Sequence, residues 1–268
     1  MLQADSLRFG YGETLVIDGV SLTVPRGRIV GIIGPNGSGK TTLLRLLGGT
    51  LTPGAGRVRF EDRELRQIPR RRLARRLAVV PQDTHLAFDY SVLEIVLMGR
   101  YPHLGALEVE GPADLAIARA ALAATGTAAF ERRPFTTLSG GERQRVVIAS
   151  ALAQIDGATG SALLLDEPTA ALDLGYQLEI ASLLERLNRE RGLTMVISTH
   201  DLAFASALCH ELVLLREGRV IASGAVDAVL TEDNIRALYD VEASVRRDGE
   251  SGRMVVVPRR HISSRKVT

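Results

Sequence analysis

The sequence predicts an α/β fold: a mainly parallel β-sheet with a helical block inserted into it. After about residue 155, the apolar runs ALLLD (162–166) and TMVIST (194–199) flank a segment in which apolar residues recur at helical spacing. Buried strands that alternate with helices are typical of a parallel sheet. From about 83 to 144 the chain is instead alanine-rich with helical periodicity, and this change predicts the insertion.

The strands before the insertion follow from short apolar patterns. Alternating apolar residues predict three short strands near the start, around Leu7–Phe9, Leu15–Ile17 and Leu22–Val24. The uninterrupted apolar run RIVGII (28–33) is expected where a strand is buried on both faces. The segments VRF and LAVVP predict two further strands.

Helical patterns and a polar tail complete the prediction. In the insertion, SVLEIVLMGR and PADLAIARAALAAT predict helices, and Pro112 stands where proline favours a helix start. Between the two later apolar runs, four residues follow the i, i+3, i+4, i+7 pattern of an amphipathic helix: Ile180, Leu183, Leu184 and Leu187. From about Arg246 the chain is polar, basic and glycine-bearing, so we expect a loose tail with one short strand, RMVVVP.

Composition and charge are those of a globular protein with no strong attraction to nucleic acid. The chain has 268 residues, enough to bury a substantial core, and its formal net charge is +2. In the most basic run, RRRLARR (70–76), leucine and alanine are spaced as on a helix whose arginines face water. We favour that interpretation over a nucleic-acid contact, and we expect no nucleic-acid partner.

Three features bear on the cellular compartment. Asp5 and Arg8 interrupt the apolar core that a secretory signal at the N-terminus would need. The single cysteine, Cys209, cannot form an internal disulfide, which fits a reducing cytosol. No apolar stretch of the sequence approaches the roughly 18 residues that cross a bilayer. If the protein serves a membrane process, we expect another chain to cross the membrane.

The segment GPNGSGKT (34–41) predicts a phosphate-binding loop. It has the form G-x-x-x-x-G-K-[ST] and lies between the strand RIVGII and the helical TTLLRLL, the context that this motif requires. Its glycines let backbone N–H groups face a β-phosphate, Lys40 would bridge β- and γ-phosphates, and the Thr41 hydroxyl would hold Mg²⁺. The nucleotide-binding residues predicted here are Gly34, Pro35, Asn36, Gly37, Ser38, Gly39, Lys40, Thr41 and Thr42.

Polar side chains follow two of the later strands. In LLLDEP (163–168) the strand ends in Asp166, which suits Mg²⁺ or its bound water. Glu167, next along, is free to polarise an attacking water as a general base. His200 follows TMVIST and should reach the same sheet edge, where it can contact a γ-phosphate. We predict catalytic roles for Glu167 and His200.

A second anion-binding segment is predicted at LSGGERQ (138–144). Ser139, Gly140 and Gly141 precede or begin a helix, so their N–H groups and the positive end of that helix favour an anion. A chain that already has a phosphate loop has no obvious need for a second one.

Together these motifs resemble the nucleotide-binding subunit of ATP-binding cassette (ABC) transporters. The resemblance extends to about residue 245 and includes, in order, FGYG, GPNGSGKT, VVPQD, LSGGERQ, LLLDEP with ALD, and STHD. It implies a P-loop NTPase (RecA-like) core with an antiparallel β subdomain and an inserted helical subdomain. We expect one domain, 1–245, with the core at about 1–82 and 145–245, the helical subdomain at about 83–144, and a tail at 246–268.

The resemblance also assigns roles to three further residues. Tyr11 would stack on adenine. Gln82, a third predicted catalytic residue, would reach the metal or the attacking water and, as the hinge to the helical subdomain, sense the γ-phosphate. Asp173 would lie at a subunit boundary. The family usually has serine before this ALD, whereas the present segment is TAALD, a difference that affects one side-chain hydrogen bond.

The same resemblance implies that the protein works as a pair. Cassettes of this family associate head to tail, and each LSGGERQ segment caps the nucleotide on the phosphate loop of the other subunit. ATP, with Mg²⁺, would then bridge two copies of the chain. Loss of the γ-phosphate on hydrolysis would let the pair open.

Two segments resemble a subset of the family more closely. VLMGRYPHLG (96–105) and GAVDAVLTEDNIRALYDVEASV are similar to segments in the ATPases of iron-siderophore, haem and vitamin B12 importers. The implied partners are a membrane permease, contacted near Gln82–Arg100, and a solute-binding protein that acts indirectly. The implied location is the cytoplasmic face of the inner membrane. Two alternatives stay open. One is the ATPase of an importer for zinc, manganese or another small solute, and the other is a soluble, non-transport ABC ATPase.

Overall fold

The order of strands and helices follows the predicted alternation. The computed structural model of the chain describes residues 1–83 and 88–262. The strands are β1 (Leu2–Tyr11), β2 (Thr14–Val24), β3 (Ile29–Ile33), β4 (Ala55–Phe60), β5 (Arg63–Glu64), β6 (Leu77–Val80), β7 (Ala162–Asp166), β8 (Thr194–Thr199), β9 (Glu211–Arg216), β10 (Arg219–Ala225), β11 (Val241–Arg247) and β12 (Met254–His261). The helices are α1 (Lys40–Leu47), α2 (Arg70–Ala74), α3 (Val92–Met98), α4 (Pro112–Ala124), α5 (Gly140–Gln154), α6 (Leu174–Arg191), α7 (Leu202–Leu208), α8 (Val226–Val229) and α9 (Glu232–Tyr239).

The central sheet has the strand order β10-β9-β3-β8-β7-β6. Strands β9, β3, β8, β7 and β6 are parallel, and β10 is antiparallel to β9. Side chains of β3 alternate between two apolar cores, with Ile29 and Ile33 in one and Val30 and Ile32 in the other. The strand is therefore buried along its whole length, which confirms the prediction from RIVGII.

An antiparallel sheet, β2-β1-β4-β5, packs against α1 in the second of these cores. The three short strands predicted near the start are only two long ones, because the segments around Leu15 and Leu22 both belong to β2. The register of β2 against β1 shifts between Ile17 and Leu22, and Gly19 there has a φ of 69°. This bulge breaks the alternation of apolar residues, so one strand has the sequence pattern of two.

The inserted helices α3, α4 and α5 pack on one another. Helix α4 begins at Pro112, as predicted. Helix α5 runs through the expected boundary between 144 and 145 and also packs on β6 and α6. The insertion and the core therefore share helix α5. The apolar pattern continues without a break through this helix, so the sequence did not show that it is shared. The start of the insertion, at 84–87, lies outside the described residues.

The basic helix α2 faces solvent along most of its length. Arg70 to Arg72 are exposed and Leu73 is buried, as the spacing predicted. Arg71 and Arg75 each donate to the Pro102 carbonyl oxygen at 2.8 Å. Arginines of this run thus tie the helix to the loop after α3. In the part of the chain that the structure describes, no helix is both long and apolar enough to span a membrane.

The C-terminal segment is more ordered than the expected loose tail. Strands β11 and β12 form an antiparallel pair that packs on α9 and α7, and the expected boundary at 245/246 lies inside β11. The sequence showed only the RMVVVP strand because most side chains of the pair are exposed, and polar residues are tolerated there. Val245, Met254 and Val256 provide the inward face. The last part of the expected tail, 263–268, lies outside the described residues.

Candidate active site

A cleft of about 450 Å³ opens at the carboxyl ends of the parallel strands. Strand ends of this kind form the ligand crevice of open α/β sheets. The cleft is lined by residues from the loop before α1, the first turn of α1, the turns after β6, β7 and β8, and strand β2. They are Val16, Asn36, Gly37, Gly39, Lys40, Thr41, Thr42, Gln82, Glu167, Ala170 and His200. The fold thus brings most of the predicted phosphate loop together with all three predicted catalytic residues.

The loop at 34–39 is a backbone cradle that depends on glycine. Gly37 and Gly39 have φ angles of 79° and 102°, which glycine adopts without strain. A Cβ atom at Gly34 would lie 2.2 Å from the Leu215 carbonyl oxygen. Because Gly39 has no side chain with which to cap α1, the first N–H groups of that helix are available to an anion.

Two buried polar groups of the loop are suited to a phosphate. The Lys40 ammonium donates to the carbonyl oxygens of Gly34, at 2.9 Å, and Pro35, at 3.2 Å. The buried Ser38 hydroxyl has no hydrogen-bond partner within residues 1–83 and 88–262. Buried polar groups are nearly always paired, so this hydroxyl is a donor available to a phosphate oxygen. These observations fit a bound nucleotide phosphate.

Oxygen ligands suitable for Mg²⁺ meet beside the cradle. The Thr41 hydroxyl donates to Oδ1 of Asp166 at 3.1 Å, and the Ser198 hydroxyl donates to the same oxygen at 2.5 Å. Asp166 ends β7 and is buried. Hydroxyl, carboxylate and amide oxygens are the hard ligands that Mg²⁺ prefers, so Thr41 and Asp166, with Gln82 in the same cleft, fit that ion.

Ser198 is a site residue that the sequence prediction missed. Besides its contact with Asp166, its hydroxyl accepts from the Glu167 backbone N–H at 3.1 Å. One serine thus holds both members of the Asp-Glu pair. The available signal was a small polar residue that follows the apolar centre of the run TMVIST.

Glu167 is held from two sides in a strained backbone conformation. Its Oε2 lies 2.7 Å from Nδ1 of His200, and its Oε1 lies 3.2 Å from Nζ of Lys40. Its φ is +45°, in the left-handed region that non-glycine residues seldom adopt and that costs about 1–3 kcal/mol. The Glu167 N–H, bonded to the carbonyl and hydroxyl of Ser198, maintains this conformation. In this conformation the Glu167 carboxylate lies in the cleft.

The LSGGERQ segment is not part of this cleft among the described residues. Ser139 is the N-cap of α5: its hydroxyl accepts from the Glu142 N–H at 3.3 Å, and the Glu142 carboxylate accepts from the Ser139 N–H at 2.8 Å. This second hydrogen bond is the main cause that lowers the pKa of Glu142. Gly140 is exposed. The predicted second anion site is therefore an open helix end on another part of the surface.

Tyr11 and Asp173 also lie outside the cleft lining in the described part of the chain. Tyr11 ends β1, is 49% exposed and packs edge-to-face on Phe9, with ring centroids 5.0 Å apart. Val16, on the neighbouring strand β2, does line the cleft. Asp173 caps α6 by accepting from the Tyr176 N–H at 3.3 Å. Among the described residues of one copy, neither Tyr11 nor Asp173 therefore contributes to the cleft lining.

We expect Gly141→Ala to destabilise the fold. A Cβ at this position would lie 2.4 Å from Cδ1 and 3.0 Å from Cβ of Tyr176, so the whole tyrosine side chain would have to move. The free energy of unfolding should fall by about 1–3 kcal/mol, as for other overpacked sites. Urea denaturation measures this change.

Gly140→Ala is the matched control on the same helical turn. A Cβ at Gly140 meets only Cδ2 of Leu172, at 3.3 Å. We expect stability to be unchanged or raised by up to about 1 kcal/mol, since alanine favours a helix over glycine. Equal losses in the two variants would show that contact with Tyr176 is not the cause.

Comparison with known proteins identifies the family. The sequence model of the ABC transporter family matches residues 17–170, more than half of the chain. The chain belongs to the ABC transporter family. The resemblance drawn from the six motifs is thereby confirmed.

Relatives within the family include subunits of import systems. The chain is 41% identical over 257 residues to the cobalamin import ATP-binding protein of Halobacterium salinarum. The aligned region covers 96% of this chain but only 63% of that protein's length. It is 39% identical over 260 residues to the hemin import ATP-binding protein of Pseudomonas entomophila, and this alignment covers 97% of this chain and 100% of that protein.

Solved structures agree with the fold class. A transporter described as being of the metal-chelate ABC type, in an inward-facing conformation, superposes with a TM-score of 0.84 at 32% identity and covers 97% of each chain. A dimeric bacterial ABC transporter cassette superposes with a TM-score of 0.72 at 29% identity over 84% of this chain and 99% of that one. The α/β ABC ATPase fold predicted from the sequence is therefore confirmed.

Proposed function

We propose that this chain is the ATP-hydrolysing subunit of an ABC importer that powers uptake of an iron chelate, haem or vitamin B12 through a separate permease. The observation that carries the ATPase part is the cleft in which Lys40, Glu167 and His200 are in contact beside a glycine cradle. The names of the import relatives support the choice of cargo class.

Binding of ATP would rearrange the contacts of Lys40. Its ammonium, which now donates to two loop carbonyl oxygens, would instead donate to β- and γ-phosphate oxygens. Mg²⁺, held by Thr41 and Asp166 with Gln82 nearby, would neutralise charge on the same phosphates. Glu167, released from Lys40, would then be free to accept a proton.

Hydrolysis follows from the position of Glu167. The carboxylate takes a proton from a water molecule as the water oxygen bonds to the γ-phosphorus, and the bond from that phosphorus to the bridging oxygen breaks. ADP and inorganic phosphate are the products. His200, oriented by its 2.7 Å hydrogen bond to Glu167, contacts the γ-phosphate during this step.

A second copy of the chain would complete the site. Ser139, Gly140 and Gly141 stand at the positive N-terminal end of α5 and do not line the cleft among the described residues. We therefore assign them to the ATP on the partner's phosphate loop. Asp173 lies at the same boundary, and Tyr11 stacks on adenine. The dimeric cassette of similar fold supports this head-to-tail homodimer.

The permease would dock near Gln82–Arg100, on the cytoplasmic face of the inner membrane. Part of this segment, 84–87, lies outside the described residues. Beside it Phe88 is 70% exposed, an apolar ring suited to a partner helix. The segment connects the cleft, through Gln82, to helix α3. A solute-binding protein acts through the permease and does not touch this chain.

The test is to purify the chain with the permease encoded beside it and to measure ATP hydrolysis with cargo-loaded binding proteins. We expect stimulation by an iron chelate, haem or vitamin B12. Stimulation only by zinc, manganese or another small solute would contradict the cargo class. A chain that fails to associate with the permease would contradict a transport role. The complex carrying Glu167→Gln serves as the inactive control.

A further inference from the structure

The C-terminal part of the chain contacts the turn that carries His200. Tyr239 is the last residue of α9, and its hydroxyl lies 3.4 Å from the His200 carbonyl oxygen. Burial, and to a lesser extent the negative charges of Glu167 and Asp201, raise the pKa of Tyr239 to about 12. The hydroxyl therefore keeps its proton at neutral pH and donates to that carbonyl.

The end of α9 is fixed in place by strand β9. Arg216 donates to both carboxylate oxygens of Asp240, at 3.1 and 2.7 Å, and also to the Ala237 carbonyl oxygen. Two-pronged arginine–carboxylate contacts hold both position and angle. Asp240 has a φ of +56°, and its backbone carbonyl oxygen accepts from the Ile262 N–H at 2.7 Å. Tyr239 thus lies between groups that restrict its movement.

Helix α7, which follows His200 in the chain, also contacts the C-terminal segment from α9 to β12. Asp201 caps α7 by accepting from the Phe204 N–H at 2.9 Å. The Ser206 hydroxyl, on α7, donates to the Met254 carbonyl oxygen of β12 at 2.7 Å. Both the carbonyl of His200 and the helix that follows it are therefore restrained by the segment from α9 to β12.

We propose that Tyr239 is a positioning residue that fixes the backbone at His200 so that the imidazole keeps its hydrogen bond with Glu167. The His200 side chain is 56% exposed, so packing restrains it little. Its backbone position then decides whether Nδ1 reaches the Glu167 carboxylate. This inference rests on the proposed catalytic roles of Glu167 and His200.

Tyr239→Phe in the full chain tests the proposal, because it removes the hydroxyl and keeps the ring. We expect kcat for ATP to fall by roughly 3- to 10-fold with KM for ATP unchanged, while loss of one hydrogen bond lowers the melting temperature by no more than about 2–4 °C. Tyr101→Phe is the matched control, since that side chain is 58% exposed on the turn after α3. It should leave kcat unchanged.

Histidine NMR separates a positioning role from a merely structural one. In ¹⁵N-histidine-labelled protein, the His200 signals are identified by their loss in His200→Gln. Tyr239→Phe should shift the Nδ1 signal of His200, and Tyr101→Phe should not. Unchanged His200 signals in Tyr239→Phe would overturn the proposal, as would a loss of kcat that is explained by unfolding of the variant at the assay temperature. If His200→Gln keeps normal turnover, the catalytic role of His200 fails, whereas the signal shift reports on Tyr239 independently.

Discussion

Replacing Glu167 with glutamine is expected to lower ATP turnover by roughly 10²- to 10⁴-fold, the contribution of a positioned general base. Glutamine has almost the same volume and can still bond to His200, but it cannot take a proton from water. Glu167 is the carboxylate that contacts both Lys40 and His200 in the cleft, at 3.2 and 2.7 Å. Steady-state ATP hydrolysis measures the loss, and equilibrium binding of labelled ATP should be retained.

A glutamate outside the cleft provides the control for this change. Glu185 is exposed on α6, and Glu185→Gln should leave both turnover and ATP binding unchanged. Near-normal turnover in Glu167→Gln would remove this residue from the role of general base. Loss of ATP binding in the same variant would show instead that Glu167 holds the loop in shape.

Lys40→Ala and Ser139→Arg are each expected to reduce turnover by at least about 10²-fold, as when charge-stabilising donors are removed from a site. The reasons differ. Lys40→Ala deletes the buried ammonium of the phosphate loop, so ATP binding should be lost. Ser139→Arg blocks a helix end outside the cleft, so the chain should still bind ATP on its own loop.

Thermal unfolding of Lys40→Ala and Ser139→Arg is measured beside their turnover and ATP binding. Ser139 caps α5, and loss of a cap costs about 1 kcal/mol. A modest decrease in melting temperature is therefore expected for Ser139→Arg, with the protein still folded. If Ser139→Arg hydrolyses ATP normally, the open end of α5 has no part in the reaction.

The fold was predictable where apolar patterning is unbroken. Strands β7 and β8 have the predicted bounds, because both faces of these strands are buried and every position except Asp166 is apolar or small. Where a bulge at Gly19 shifts the register, the same reasoning divided one strand into two. Strand β11 and the end of β12 were missed because arginines occupy the exposed face of this pair, and a basic sequence of that kind is also typical of a disordered tail.

The candidate site was predictable where chemistry depends on residues adjacent in sequence. The phosphate loop and Glu167 belong to short segments whose spacing determines their geometry. Ser198 and Tyr239 contact Asp166 and His200, which are distant from them along the chain, and the one local signal was the polar residue within TMVIST. The placement of Ser139 opposite a nucleotide depends on a second copy of the chain, so it stays a prediction.

The central claim is that each ATP site is shared between two copies of the chain, and mixing inactive variants tests it most directly. In a mixed pair of Lys40→Ala and Ser139→Arg subunits, the phosphate loop of the second is intact and faces the partner subunit's Ser139. The other site in that pair carries both defects. We expect ATP hydrolysis in the mixture to rise well above the turnover of either parent alone. A mixture no more active than its parents would contradict a shared site.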